Sequence, residues 1–416
     1  MKKITTNAAI SRITLVAQIT LAAIISGPTQ AQTGQNGQIA NSHKPNEYTL
    51  ACLEAPTRDC AFSAALQTVI AEEFGVERSK VLVAVARALI ATDQPGQAIE
   101  TLMLALEEAR SVNLSLVTQE KITEIAPILA RANDTASALA LVEELQIPSV
   151  RQRTLIAIAH ENILAGRLAD ANVALAQMEN STRAFWQRLR LLPLAPVSAL
   201  QAVDIQSLEA EVRAFSQPDR LYRGLILLAV LADKQGQPAD RQSYLMEADE
   251  LFASLVSLNV RALATAHRLR SMYDGGLDPV LIQESYELAL LHSSRIRGLE
   301  TLESIATLIG VVEADGGDLD AAVKRMDVFI EVADKARYLS SLRASSDKGS
   351  LSAEVRILLA QVVELEGVYE RDLVRLQLLE GALANQDLGL ATRVITAIED
   401  DDNQAKGLAL AAPLLE

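Results

Sequence analysis

Aromatic side chains are scarce in this 416-residue chain, which holds one Trp, seven Tyr and six Phe although half of its residues are apolar. A core drawn from that composition is built from Leu, Ala, Val and Ile, which favours helices packed closely through small side chains. Histidine is limited to His43, His160, His267 and His292, far apart, and His160-Glu161 lacks the second His that a zinc-protease helix carries. There is no glycine-rich phosphate loop, no Gly-x-Ser-x-Gly elbow and no clustered Cys/His set. An enzyme reading is left with carboxylates alone, which on helices read as solvated faces. No catalytic residue, no cofactor and no metal site is expected.

An excess of positive charge is missing as well. The formal charge is −15, and the first 31 residues hold Lys2, Lys3 and Arg12 with no acid, so the remainder is more acidic still. Repulsion from phosphate argues against nucleic acid as a partner, and the acidic surface keeps a long chain soluble. Beyond the N-terminus no stretch reaches the roughly 20 apolar residues that span a bilayer, so no integral membrane segment is expected after signal cleavage.

At the N-terminus, Lys2, Lys3 and Arg12 precede an apolar run from Ile13 to Ile25, then Gly27-Pro28 and Thr29-Gln30-Ala31. This is the layout of a secretory signal peptide, residues 1–31, cleaved after Ala31. Residues 32–50 open with a Gln-, Gly- and Asn-rich stretch that has little to bury and read as a flexible linker. Export of this kind implies the periplasm, with secretion as the alternative. In an oxidising compartment Cys52 and Cys60 are expected to pair, because their spacing fits neither a CxxC redox motif nor a common zinc motif. A bridge across so short a loop contributes about 2–3 kcal/mol and pins the first helix, Ala61 to Phe74, as an N-terminal cap.

What fills residues 51–416 is a repeat. Breaks at Pro95-Gly96, Asn133-Asp134, Gly166, Gly236, Gly275-Gly276, Gly316-Gly317 and Asn385 interrupt helical text every 33 to 40 residues or so, with weaker breaks near Pro196 and at Asp347-Lys348-Gly349. Between them apolar residues recur at helical spacing. Leu82, Val85, Ala86 and Leu89 face Ala98, Leu102 and Ala105; Ile122, Ile125, Ala126 and Leu129 face Ala138, Val142 and Leu145; Leu155, Ile158 and Ala159 face Ala171, Leu175 and Met178. Pro95, Pro238 and Pro279 stand where a second helix begins, and Asp278 is a natural cap. Pro193 and Pro196 interrupt the fourth unit. The fold class is therefore all-α: about nine antiparallel helix hairpins stacked as an α-solenoid.

The small residue of the first helix (Ala86, Ala126, Ala159, Ala229, Gly310) and the Ala opening the second (Ala98, Ala138, Ala171, Ala322) resemble tetratricopeptide-like repeats over nearly all of 51–416. The family's usual aromatic positions carry Leu, Ile or Val here, so the resemblance is to a divergent member. It implies a right-handed superhelix whose concave groove, lined by first helices, binds peptides or protein partners.

Three local features carry further expectations. Asp315-Gly316-Gly317-Asp318-Leu319-Asp320 lacks the spacing and distal Glu of a calcium loop and reads as a turn with Asp318 capping the next helix. Glu399-Asp400-Asp401-Asp402 reads likewise as a charged turn before the last helix. Around the single Trp, Arg183, Arg188 and Arg190 flank Phe185-Trp186, which is either a contact hot spot or core packing with the arginines paired to acids on neighbouring helices.

Aligning Ala86, Ala126, Ala159 and Ala229, the positions six before, one after and five after fall on one stripe opposite the apolar face. It carries Lys80 and Arg87, Glu120 and Arg131, Arg153, His160 and Leu164, and Arg223 and Lys234. In a tetratricopeptide-like superhelix these line the groove, a basic inner row suited to an acidic segment or a C-terminal carboxylate. The function expected is a non-catalytic periplasmic scaffold or adaptor for protein or peptide partners. The alternatives are an accessory solenoid of a cell-wall-acting enzyme system and a purely structural spacer.

Overall fold

The computed structural model describes residues 47–72, 74–343 and 349–415. The expected signal peptide, linker residues 32–46 and Asp347-Lys348 of the expected break lie outside the described residues. Residues 47–50, assigned above to the linker, are instead helical: α1 runs Glu47–Glu54, with Thr49 and Cys52 fully buried. The Cys52–Cys60 disulfide is present and ties α1 to α2 (Arg58–Ala71).

Among the described residues there are 22 α-helices and no strand. After α2 come nine consecutive units, each a first helix returned by a second. They are α3 (Gly75–Ala91) with α4 (Pro95–Ser111), α5 (Ser115–Arg131) with α6 (Thr135–Glu143), and α7 (Pro148–Leu164) with α8 (Leu168–Ala176). In the fourth unit, α9 (Ser181–Leu191) runs into a 3-10 turn, Leu192–Leu194, and then α10 (Val197–Leu200) and α11 (Ile205–Arg213). There follow α12 (Pro218–Lys234) with α13 (Pro238–Phe252), α14 (Leu258–Gly275) with α15 (Pro279–Ser293), and α16 (Leu299–Asp315) with α17 (Leu319–Lys324). The last two units are α18 (Val332–Ser341) with α19 (Gly349–Val362), and α20 (Val368–Ala384) with α21 (Leu388–Ala397). A final helix, α22 (Asp401–Ala411), has no second helix after it among the described residues.

The same local chemistry closes most units. The turn between paired helices holds one residue in the left-handed region, namely Asp93, Asn133, Gly166, Gly236, Gly276, Gly317 or Gln386. The next amide then donates five residues back, as Gln94 to Leu89, Asp134 to Leu129, Arg167 to Asn162, Gln237 to Ala232, Leu277 to Met272, Asp318 to Glu313 and Asp387 to Ala382, at 2.8–3.1 Å. This satisfies a carbonyl that the helix end would otherwise leave open, and it turns the chain sharply enough to pack back on itself. Asp134, Asp278, Asp318 and Asp387 cap the second helices by accepting from backbone amides. Prolines open α4, α13 and α15.

The small residues sit at the helix contacts. Ala86, Ala126, Ala159 and Ala229 are fully buried, as are Ala98, Ala138 and Ala322. At Gly310 an added methyl group would collide with the Tyr338 hydroxyl, which donates to the Ala322 carbonyl at 2.5 Å.

First helices pack against first helices along the chain, α3 on α5, α5 on α7, α12 on α14, α14 on α16 and α18 on α20. The order of contacts does not stop at the end. The last helix, α22, lies against α2 and α3, and the 3-10 turn Ala412–Leu414 that follows it reaches both as well. Arg58 Nε donates to the Ala412 carbonyl at 3.4 Å. Helices α22 and α2 thus form a tenth pair made from the two ends of the chain, and α2 is a seam rather than the free cap expected from sequence. One apolar core runs through it, including Cys52, Ala61, Val81, Leu408 and Leu415.

Candidate functional site

The stripe predicted along the first helices is not one continuous free row. Lys80 holds Glu77 at 2.7 Å, Arg87 lies 3.5 Å from Glu124, and Arg131 binds Glu161 at 2.8 Å. His160 Nδ1 stands 3.8 Å from the same Glu161. In the fifth unit Val230, the middle of the stripe, is buried, packed against Gly275 of α14. Lys234 donates to the Pro193 carbonyl at 2.5 Å, and burial pulls its pKa down. Arg153 is exposed with no ion pair among the described residues. The helix geometry put these side chains on one face, but it could not show that acids on the next first helix reach back to them.

Two charged regions emerge from the packing. At the seam, Arg87, Lys121, Glu124 and Lys406 come together from α3, α5 and α22. Burial acts to raise the Glu124 carboxyl, but Lys121, 2.8 Å away, together with Lys406 and Arg87 holds it below its ordinary range. Burial lowers Lys406, aided by Lys121 and Arg87. Beside this cluster, burial and then Glu72, Asp400 and Glu77 push the Asp402 carboxyl up to about 8. Asp400 caps α22 by accepting from Asn403 at 3.0 Å, as the charged-turn reading required.

The second region lies where α9, α12 and α14 meet. Arg190, Tyr222, Arg223, Ile226, Leu227, His267, Arg268 and Ser271 surround a small pocket. Burial, then Arg223 and Arg190, push His267 down to about 3, so it is neutral. Burial also lowers Arg223, with Arg190 adding to it. The Arg223 guanidinium stands 5.1 Å from the centre of the Trp186 ring, which meets Phe215 edge-on at 5.8 Å. Of the two readings of this segment, packing describes Phe185, which is buried, while Trp186 is half-buried. The arginines do not pair with acids as the packing reading supposed: Arg183 donates to Gln152 Oε1 at 3.0 Å, and neither Arg188 nor Arg190 has a carboxylate partner among the described residues.

A third feature escaped the sequence reading. Because each unit returns the chain, the first helices run the same way and their starts share one edge. That edge is apolar: Phe74, Leu114, Leu116, Ile147, Val256, Leu258, Leu299, Ile330, Val368 and Tyr369 are all exposed there, Val256 to 93% and Leu116 to 74%. They lie at or just before the starts of seven first helices, α3, α5, α7, α14, α16, α18 and α20. The signal in the sequence was an apolar residue beside the first-helix start in seven of the nine units, α9 and α12 lacking one.

No helix among the described residues is long and apolar enough to cross a membrane. No family model, no curated protein and no solved structure matches this chain, so its repeat geometry and its sites stand on its own residues.

Proposed function

We propose that this chain is an exported, non-catalytic scaffold of the tetratricopeptide-like class, a periplasmic adaptor whose array of hairpins binds protein or peptide partners. The observation that carries this reading is the apolar edge. Exposed Leu, Ile, Val, Phe and Tyr recur at the starts of seven first helices rather than singly, and recurring exposed apolar residues are what an interaction surface would present. A spacer has no use for such an edge. The Cys52–Cys60 bridge is compatible with an oxidising compartment, which supports export. The exposed Arg153, in the second turn of α7, suits an acidic segment or C-terminal carboxylate of the partner.

The reading is tested with a photo-crosslinking side chain placed singly at Leu116, Tyr369, Arg153 and, on a second helix, at the exposed Val173. Covalent protein adducts from Leu116, Tyr369 or Arg153 and none from Val173 are the expected result. Adducts from Val173 alone would move binding to the outer helices. Absence of adducts from every position would leave the chain a spacer and overturn the proposal.

A further inference from the structure

The pocket between α9, α12 and α14 goes beyond partner docking, because its charges do not balance. Arg268 is occupied, donating to Asp249 and, at 3.3 Å, to Ser285 Oγ. Arg190 and Arg223 are not: neither makes a hydrogen bond or ion pair with a carboxylate among the described residues, and Arg223 rests on the Trp186 face. Asp219 offsets Arg223 only in part, since Arg190 and Arg220 act against it. The fully buried Tyr222 lines the same pocket, with its hydroxyl beside the Arg268 guanidinium. Two guanidinium groups without a carboxylate partner, one exposed and one half-buried, thus converge on one cavity beside a buried hydroxyl, and a single anionic ligand would answer both charges.

We infer that this pocket binds one oxyanion group, a phosphate or a carboxylate, gripped by Arg190 and Arg223 with the Tyr222 hydroxyl and Ser271 as further donors. Guanidinium forks match the oxygen spacing of both anions. Ile226 and Leu227 complete the lining with apolar surface. Neutral His267 adds one N–H donor without adding charge.

The chain carries its own reporter, because Trp186 is the only tryptophan and Arg223 lies on its ring. The experiment titrates the full chain with inorganic phosphate, and separately with acetate, following Trp186 fluorescence with ionic strength held constant by chloride. A saturable change is expected with at least one of the two anions. Saturation by phosphate alone defines a site for a tetrahedral oxyanion, and saturation by acetate as well defines one that accepts carboxylates. Arg190→Gln, at an exposed position that the fold does not need, is expected to weaken the response about tenfold or more, whereas Arg337→Gln, on an exposed pair with Asp334, leaves it unchanged. Calorimetry with Arg223→Gln gives the same comparison without depending on Trp186. A response that stays linear and equals that of chloride, or one that saturates equally well in Arg190→Gln, overturns the proposal. The result is independent of the crosslinking outcome, since a small anion can bind whether or not a protein partner exists.

Discussion

The seam and the fourth unit are the two places where the repeat departs from itself, and they depart in opposite ways. At the seam, α22 and α2 come from opposite ends of the chain yet pack as an ordinary pair, with Ala405, Leu408 and Ala409 buried against Ala61, Ala64 and Ala65 in one core. In the fourth unit the chain is continuous, but Pro193 and Pro196 break the helix, and the broken segment folds over α12. Nine successive residues of α12, Gly224 to Ala232, are buried, with Gly224 against Val212 of α11 and Val230 against Gly275 of α14. Gln235 then anchors the irregular segment by donating to the Leu200 and Val203 carbonyls at 2.7 and 2.8 Å. Regular packing needs no covalent continuity, whereas continuity without regular packing needs side chains to hold the backbone. The first brings buried acids and cations together, and the second leaves a basic pocket.

The largest effect is expected from removing residues 401–416. Leu408 and Leu415 are almost fully buried, and each would forfeit about 2–3 kcal/mol of burial, while α2 and α3 would lose the neighbour that covers them. An array with free ends would shed its last helix and leave the first helices intact. A closed one is expected to lose amide protection in α2 and α3 as well, and hydrogen exchange over residues 58–91 separates the two.

Replacing Cys52 and Cys60 together by Ser is expected to cost about 2–3 kcal/mol locally. If α2 were a cap, exchange would rise only at the N-terminal end. With α2 paired to α22, protection is expected to fall over residues 47–91 and over 401–415 in parallel, while α14 to α16 stay unchanged, because contacts in a repeat pass only between neighbours. Unchanged exchange in α22 would break the comparison. A similar or smaller loss, about 1–3 kcal/mol, is expected for Gly310→Ala, since the added methyl collides with Tyr338 and displaces its hydroxyl from the Ala322 carbonyl. Urea denaturation of Gly310→Ala alone and combined with Tyr338→Phe shows whether that contact carries the cost.

Much of the unit was legible because its chemistry is local. Asn133-Asp134, Gly166, Gly236 and Gly316-Gly317 mark turns in which one left-handed residue permits the five-back hydrogen bond, and only a few residue types take that conformation without cost. Ala86, Ala98 and their equivalents were legible because close helix contacts leave room for nothing larger. The seam was not, since a contact between Arg58 and Ala412 leaves no periodic trace, and the pair α22 with α2 has no turn to punctuate it. The basic row failed for a related reason: Glu124 and Glu161 answer Arg87 and Arg131 from the next first helix, one full unit away in sequence. Arg190 stood out only as one of three arginines near Trp186, because Pro193 and Pro196 hid how the fourth unit meets α12 and α14.

The smallest effects, in pH dependence, set the two regions against each other most directly. Burial and the acids Glu72, Asp400 and Glu77 raise Asp402 from an ordinary value of 3.8 to about 8, so the folded seam holds a proton that the unfolded chain releases. Its contribution is fully present below about 3.8 and is lost as pH rises through about 8. Burial and the cations Arg223 and Arg190 lower His267 from 6.5 to about 3, so the folded pocket keeps a neutral ring that the unfolded chain would protonate. That contribution is present above about 6.5 and is lost as pH falls through about 3. Between these limits the slopes oppose, and each should yield to one substitution. Asp402→Asn is expected to flatten the weakening of α22 exchange protection between about pH 5 and about pH 9, and His267→Gln is expected to flatten the weakening of α14 between about pH 6 and about pH 4. Each variant should leave the other region's profile alone, because α22 and α14 lie several units apart along the array. If Asp402→Asn altered the acid limb at α14, or His267→Gln the alkaline limb at α22, the two regions would be titrating as one unit and the contrast between seam and pocket would fail.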